Sequence, residues 1–361
     1  MNILYISKLA GHKWQGPNQS VPNQIGAQSR YDNVFWYNLN YVLKNEWLEK
    51  SNCYNLNDYP ELKISKLPPP FNKPDLVIFE GVYEYPFCKL IFEIWKRKLP
   101  YIIIPRSALT VQARNKKKLK KIIGNSLFFN KFIRKAKAIQ YLTQDEYINS
   151  GSSWNKKAFI IPNGVDTKKN VKQVNKSEKL IGVFIGRIDT YQKGLDLLID
   201  ACSKLRVELL RSNCVINLYG PDRYNSKDGL NSKLKENNLE ELISIHDAVF
   251  DGEKEKILLE ADFFIMTSRF EGHPMGLIEA LSYGLPCLVT DGTNMAKEIK
   301  ESDAGWIAEI SVESITLEFK KLLNNIDTLQ DKGKNAITLS RLYDWDTIAE
   351  LSSQKYLELI K

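Results

Sequence analysis

Twelve short apolar runs, each followed by a longer polar stretch that tolerates helix, constrain this chain more than any other feature. Six lie in the first half, at residues 3–6, 34–37, 76–79, 101–104, 138–142 and 159–161. Six follow at 181–185, 215–219, 243–246, 263–267, 287–290 and 306–308. Runs this short are strand-length, and the intervals between them have room for crossover helices, so the expectation is parallel sheet covered by helices. The rhythm restarts after Pro162-Asn163-Gly164-Val165-Asp166, where a polar stretch rich in Lys, Asn and Gln runs to Lys179. This reads as an α/β chain of two doubly wound domains, 1–165 and 180–344, joined by a linker over 166–179. The last helical pattern, about 345–361, has no strand of its own and is expected to pack back on the first domain.

Length and composition agree with this division. The chain has 361 residues, 43% apolar and 26% charged, which suits two globular domains and excludes a collagen-like, coiled-coil or disordered chain. Cys53, Cys88, Cys202, Cys214 and Cys287 are odd in number, widely spaced and without a C-x-x-C pair. That argues against a disulfide scaffold or a zinc site and for a reducing compartment. The start, MNILYISKLAGHKW, lacks the basic-then-apolar build of a signal peptide, and no apolar run approaches a membrane span. A cytoplasmic location is expected.

Charge is unevenly spread. Residues 94–144 carry fourteen Lys or Arg and no Asp or Glu, although the whole chain is only +8, so the remainder is net acidic. Within this stretch, Lys116, Lys117, Lys118, Lys120, Lys121, Lys131, Arg134, Lys135 and Lys137 alternate with Leu119, Ile122, Ile123, Leu127, Phe128, Phe129, Phe132 and Ile133. A basic helical segment with an apolar side reads as a contact for an anionic membrane surface or as a solvated helix whose apolar side is core.

Chemistry concentrates in the second half. Gly186-Arg187 ends a strand run, and Lys193-Gly194 opens the next helical stretch. Two cations at a strand-to-helix turn face the crevice beyond the carboxyl edge of the sheet, where open α/β sheets bind ligands, and suit a diphosphate. Alone they would read as solvated loop cations. Farther on, Glu271 and Glu279 flank a loop marked by Gly272, Pro274 and Gly276, which leads into a helix closed by Gly284-Leu285-Pro286. Glu271 belongs on the loop and Glu279 about one turn into the helix, with the amides of Met275, Gly276 and Leu277 expected free at the helix start. Two carboxylates also allow a hydrolase reading, but the cations nearby ask for an anionic ligand.

Taken together, Gly186-Arg187, Lys193-Gly194, Gly220-Pro221, the E-x7-E stretch from Glu271 to Glu279, and Asn163-Gly164-Val165-Asp166 resemble the retaining glycosyltransferases of family 4, among the group 1 glycosyltransferases. The resemblance spans about 200 residues, is closest in the second half, and implies a GT-B fold of two Rossmann-like domains facing a central cleft. It further implies that Arg187 and Lys193 neutralise the departing diphosphate, that Glu279 accepts the ribose hydroxyls, and that Glu271 holds sugar hydroxyls. The Met275–Leu277 amides would touch phosphate or sugar, with Gly186 and Gly220 lining the nucleotide. Gly16, in Gln15-Gly16-Pro17-Asn18, stands where the family has a glycine-rich loop under the diphosphate, with Pro17 replacing a second glycine. Arg106 occupies a position where many members have His near the reacting sugar and is a candidate contact for sugar or acceptor.

The resemblance therefore implies transfer of a sugar from a UDP- or GDP-sugar to a glycan or lipid-linked acceptor, with retention and with neither metal nor other cofactor. The implied setting is capsule or O-antigen-type synthesis at the inner face of the cell membrane. A nucleotide-sugar epimerase of the same fold is the alternative, and three histidines (His12, His246, His273) are few for its acid–base steps. A nucleic-acid-binding protein would use the basic segment but leaves Glu271 and Glu279 without a role, so no nucleic acid is expected. His246 and Cys287 read as packed core or edge residues, His273 as a loop residue without proton chemistry, and Trp14 and Tyr83 as possible sugar-stacking rings.

Overall fold

The computed structural model describes residues 1–361 except 13–15, 116–117, 152, 173–178 and 223–224. Trp14, Gln15, Lys116, Lys117 and the middle of the 166–179 segment lie outside the described residues.

The chain divides into two compact units, 1–164 with 345–361, and 165–344. The first unit holds a seven-stranded sheet built of β1 (Asn2–Ser7), β2 (Asn33–Asn38), β3 (Cys53–Tyr54), β4 (Leu76–Glu80), β5 (Tyr101–Ile104), β6 (Ala138–Tyr141) and β7 (Ala158–Ile160). Its order is β3-β2-β1-β4-β5-β6-β7, and every pairing is parallel. The second unit holds six parallel strands: β8 (Leu180–Ile185), β9 (Cys214–Tyr219), β10 (Ile243–His246), β11 (Phe263–Met266), β12 (Cys287–Thr290) and β13 (Gly305–Ala308). Their order is β10-β9-β8-β11-β12-β13.

Central strands such as β4 and β11 are buried along their whole length, because helices cover both faces of a parallel sheet and leave no side for water. All twelve apolar runs fold as strands. The thirteenth strand, Cys53–Tyr54, is a two-residue edge strand too short to leave a pattern. Order reverses between β1 and β4 in one sheet and between β8 and β11 in the other. At such a reversal the two crossovers leave in opposite directions and open a crevice beyond the carboxyl ends, which is the ligand position in folds of this kind.

The helix Trp345–Ile360 belongs to the first unit. Tyr356 from it is fully buried and donates its hydroxyl to Gln140 Oε1 at 2.7 Å, tying the end of the chain to β6. The described part of the 166–179 segment lies on the second unit. Val165 bridges to Asp344, and Lys172 pairs with Asp262 at 3.1 Å and donates to the Tyr283 carbonyl.

The basic segment is sorted by the fold in a way its pattern does not reveal. Phe128, Phe129 and Phe132 are 3%, 6% and 0% exposed and pack in the first unit's core, with Phe132 stacked on Tyr101. Each contributes about 1.5–3 kcal/mol there, so these rings are not a membrane contact. Leu119, Ile122, Ile123 and Leu127 are the residues left in water, each more than half exposed, with Lys118 and Lys120 exposed beside them. No helix among the described residues is long and apolar enough to cross a membrane.

Candidate functional site

The carboxyl ends of β8 and β11 lie side by side, since Phe263 and Phe264 pair with Gly182 and Val183. Gly186 and Arg187 follow β8, and the loop through Glu271 follows β11. The sheet reversal therefore brings together residues more than eighty apart in the chain.

Close backbone approach shapes this edge. A Cβ on Gly220 would sit 1.7 Å from the Gly186 carbonyl oxygen, so only glycine lets the ends of β8 and β9 meet. Gly194 turns the chain into the helix Leu195–Lys204 with φ +61, and a Cβ there would lie 1.9 Å from the Thr267 carbonyl. That turn fixes Lys193. Its ammonium meets Glu271 Oε1 at 2.5 Å, both side chains are about 10% exposed, and Ser268 Oγ donates to the same carboxylate oxygen at 2.8 Å. Arg187 is left looser, with its guanidinium donating to Gln192 Oε1 at 3.2 Å.

Neighbours that no spacing in the sequence singles out hold the loop. Asn294 donates its side-chain amide to the carbonyls of Glu271 and Gly272 at 2.5 and 3.2 Å. Arg269 grips Asp196 through two bonds of 2.7 Å and lies over the Tyr191 ring. The helix Met275–Ser282 starts after Pro274 and carries Glu279 in its second turn, where Lys254 Nζ meets the carboxylate at 2.8 Å. Of the three amides expected to be free at this helix start, Leu277 N–H already donates to the Pro274 carbonyl at 3.0 Å, because the first turn closes tightly. Met275 and Gly276 hold the first two positions. A Cβ on Gly276 would lie 2.7 Å from the Ile185 carbonyl, which presses the helix start against the end of β8.

His273 is buried beside the Tyr343 ring, and burial pushes its imidazole down to about 3, so it is neutral near pH 7. His246 stacks on Tyr219 and bonds Asn217, and Cys287 is buried in β12. Among the described residues no group of three or more His, Cys, Asp or Glu is placed to hold a metal ion.

Sites expected in the first half have a different character. Gly16 begins the helix Gly16–Gln28, and a Cβ on it would meet nothing within 4 Å, so packing within the chain does not require glycine there. Pro17 sits in the first turn, where its missing N–H is harmless. Arg106 follows β5 with φ +48 and spends its guanidinium internally. It bonds Glu80 at 2.6 Å, Ser20 at 3.0 Å, Asn163 at 3.1 Å and Gln24 at 2.7 Å. Tyr83 has the Lys121 ammonium over its ring and Phe129 in a T-shaped contact with it.

Residues 165–338 match the family model for glycosyl transferases, group 1. The match supports that superfamily and takes in nearly all of the second unit, with Arg187, Lys193, Glu271 and Glu279 inside it. A Campylobacter jejuni relative, N-acetylgalactosamine-N,N'-diacetylbacillosaminyl-diphospho-undecaprenol 4-alpha-N-acetylgalactosaminyltransferase, is 31% identical over 208 residues, 56% of this chain and 54% of its own. An Escherichia coli relative, UDP-Gal:alpha-D-GlcNAc-diphosphoundecaprenol alpha-1,3-galactosyltransferase, is 26% identical over 43% of this chain and 42% of its own. The chain thus aligns with about half the length of these curated relatives. Among solved structures, Anabaena HepE in complex with UDP is similar with a TM-score of 0.74 at 13% identity, covering 99% of this chain and 100% of that one. Sucrose-phosphate synthase from Thermosynechococcus elongatus also reaches 0.74 at 13% identity, over 99% of both chains. At such identity the likeness is one of fold, and the fold is that of the GT-B glycosyltransferases.

Proposed function

We propose that the chain transfers a sugar, with retention of configuration and without a metal, from a UDP- or GDP-sugar to a glycan or lipid-linked acceptor in surface-polysaccharide synthesis. The observation that carries this reading is the cluster at the β8/β11 reversal, where Arg187, the Lys193–Glu271 pair and the Lys254-held Glu279 share one sheet edge inside the group 1 segment. The named activities of the two relatives, both on diphospho-undecaprenol acceptors, point to the same chemistry.

Arg187 and Lys193 stabilise the negative charge that develops on the diphosphate as the bond to the sugar's anomeric carbon breaks. The acceptor oxygen forms its bond to that carbon from the same face, and its proton passes to the departing phosphate oxygen, so no separate base is needed. Glu271, oriented by Lys193 and Ser268, receives sugar hydroxyls, and Glu279 receives those of the ribose. Leu119, Ile122, Ile123 and Leu127 with their flanking lysines supply contact with an anionic membrane at the cytoplasmic face. Each basic residue near such a surface is worth about 1 kcal/mol.

The test is thermal unfolding with UDP, GDP or a single-stranded oligonucleotide at matched salt, followed by a screen of UDP- and GDP-sugars for slow hydrolysis. Protection by one nucleoside diphosphate and hydrolysis of its sugar is the expected outcome. Protection by the oligonucleotide alone overturns the reading. EDTA is expected to leave the rate unchanged, and a rate abolished by EDTA and restored by magnesium or manganese removes the metal-free mechanism.

A further inference from the structure

At the amino-terminal edge of the first sheet, opposite the edge where β4 and β5 deliver Glu80 and Arg106, the chain forms a groove of about 740 Å³. Three helix-to-strand or turn-to-strand connections line it, those entering the neighbouring strands β5, β6 and β7. They bring six cations to one concavity: Lys98, Arg134, Lys135, Lys137, Lys156 and Lys157. All six are exposed, and among the described residues no carboxylate lines the groove and none of the six is in an ion pair.

Ordinary helix chemistry explains only part of this cluster. Arg134 and Lys135 end the helix Asn130–Lys135, where a cation complements the helix dipole. Lys137, Lys156 and Lys157 lie outside helices. Lys98 caps the helix Lys89–Arg97 in the left-handed region, at φ +55, a position that glycine fills at less cost. Like charges around a concave wall raise one another's energy and focus a positive potential into the groove. An anion bound there relieves both.

The surroundings narrow the kind of anion. Trp95 is covered by the ammonium groups of Lys131 and Lys135, about 5 Å from its ring, and Trp154 is buried beneath Arg114. Neither ring is an open platform for stacked nucleic-acid bases. A bilayer is flat, and the exposed aliphatic residues suited to it stand apart, in the segment Leu119–Leu127 that follows the carboxyl end of β5. The volume falls within the roughly 300–1,000 Å³ of small-molecule sites.

We propose that this groove binds an acidic oligosaccharide, a short run of sugars carrying carboxylate, phosphate or sulfate groups, at a site distinct from the donor site of the second unit. The class of ligand rests on the proposed glycosyltransferase reading, since an enzyme that extends surface glycans meets such chains as acceptor or product. The anion preference rests on the groove alone.

The probe is a heparin-derived hexasaccharide, with a neutral dextran hexasaccharide and phosphatidylglycerol vesicles as separate arms, measured by calorimetry or sedimentation at low salt. The sulfated hexasaccharide is expected to bind and the dextran not to. Replacing Lys135, Lys137 and Lys157 together by Gln is expected to weaken binding roughly 3- to 100-fold, as three exposed charge contacts would. These side chains are exposed, so an unchanged melting temperature is expected to report an intact fold. Protection by whichever of UDP and GDP stabilises the wild type, measured on the same variant, is expected to stay at the wild-type level. Absence of hexasaccharide binding, or binding that the triple variant retains, overturns the proposal. Vesicle binding that the triple variant loses, with hexasaccharide binding absent, assigns the groove to membrane instead. Absence of protection by both UDP and GDP in the wild type would refute the donor reading and leave the groove result standing.

Discussion

Each unit ends a parallel strand beside a cation–carboxylate pair, and the two pairs are built for different work. In the first unit Arg106 and Glu80 are 9% and 1% exposed, and the guanidinium also binds Ser20, Gln24 and Asn163. Burial raises the Glu80 carboxyl above its usual range against the pull of Arg106, and Glu80 Oε1 is buried without a hydrogen-bond partner among the described residues. In the second unit Lys193 and Glu271 have few partners beyond each other and Ser268, with Arg187 loosely held nearby. A cation whose donors are spent inside the protein holds the fold. One with donors in reserve can turn to a ligand.

Breaking the first pair tests this contrast most severely. Arg106→Ala leaves Glu80 buried without its counter-charge, a change that costs about 3–5 kcal/mol and is read as a lower urea midpoint with nucleotide protection still present. An unchanged midpoint together with a large loss of turnover would make Arg106 a substrate contact and erase the distinction. On the other side, Arg187→Ala or Lys193→Ala is expected to lower turnover on the order of 10²-fold or more, with circular dichroism unchanged. Near-normal turnover in both removes them from the charge-stabilising role.

The carboxylates sharpen the comparison within the second unit. Glu279→Ala is expected to weaken binding of the free nucleoside diphosphate about tenfold, the loss of a charged hydrogen bond to ribose. Glu271→Ala should spare that affinity and reduce transfer. Equal losses of nucleotide affinity would contradict the division of roles.

The smallest effect is in pH. His273 takes its proton only near pH 3 when folded, whereas the unfolded chain takes one below about 6.5. Its burial therefore lowers stability as pH falls through 6.5, by about 1 kcal/mol on reaching pH 5.5. His273→Phe should remove that slope. An unchanged difference between wild type and variant over this interval would mean that the ring is protonated in the folded state.

How much was legible beforehand differs between the elements and the site. Every apolar run of strand length became a strand, because a strand covered on both faces must be apolar along its length. The candidates Arg187, Lys193, Glu271 and Glu279 could be named from their loop-to-helix context and family pattern. Lys254 and Asn294 could not, since nothing in the spacing links them to the loop they hold. Phe128, Phe129 and Phe132 fit a membrane-facing side or core equally well in sequence, and packing puts them in the core, while the four internal partners of Arg106 are not marked by any spacing.

Local order was thus a property of the chain itself. Backbone hydrogen bonding and the succession of apolar runs and polar stretches act over a few residues, and they mark twelve of the thirteen strands among the described residues. Which charges meet was decided only by the tertiary structure. The strand reversal at β8 and β11 sets Lys193 against Glu271 across 78 positions, and the path of β4 and β5 sets Arg106 against Glu80 across 26. Packing then determined whether each pair is closed or available. Arg106 and Lys193 are about equally buried, 9% and 10% exposed, but Arg106 meets four partners, and Glu80 is 1% exposed against 10% for Glu271. Desolvation depends on everything packed around a group, and no stretch of sequence carries that information.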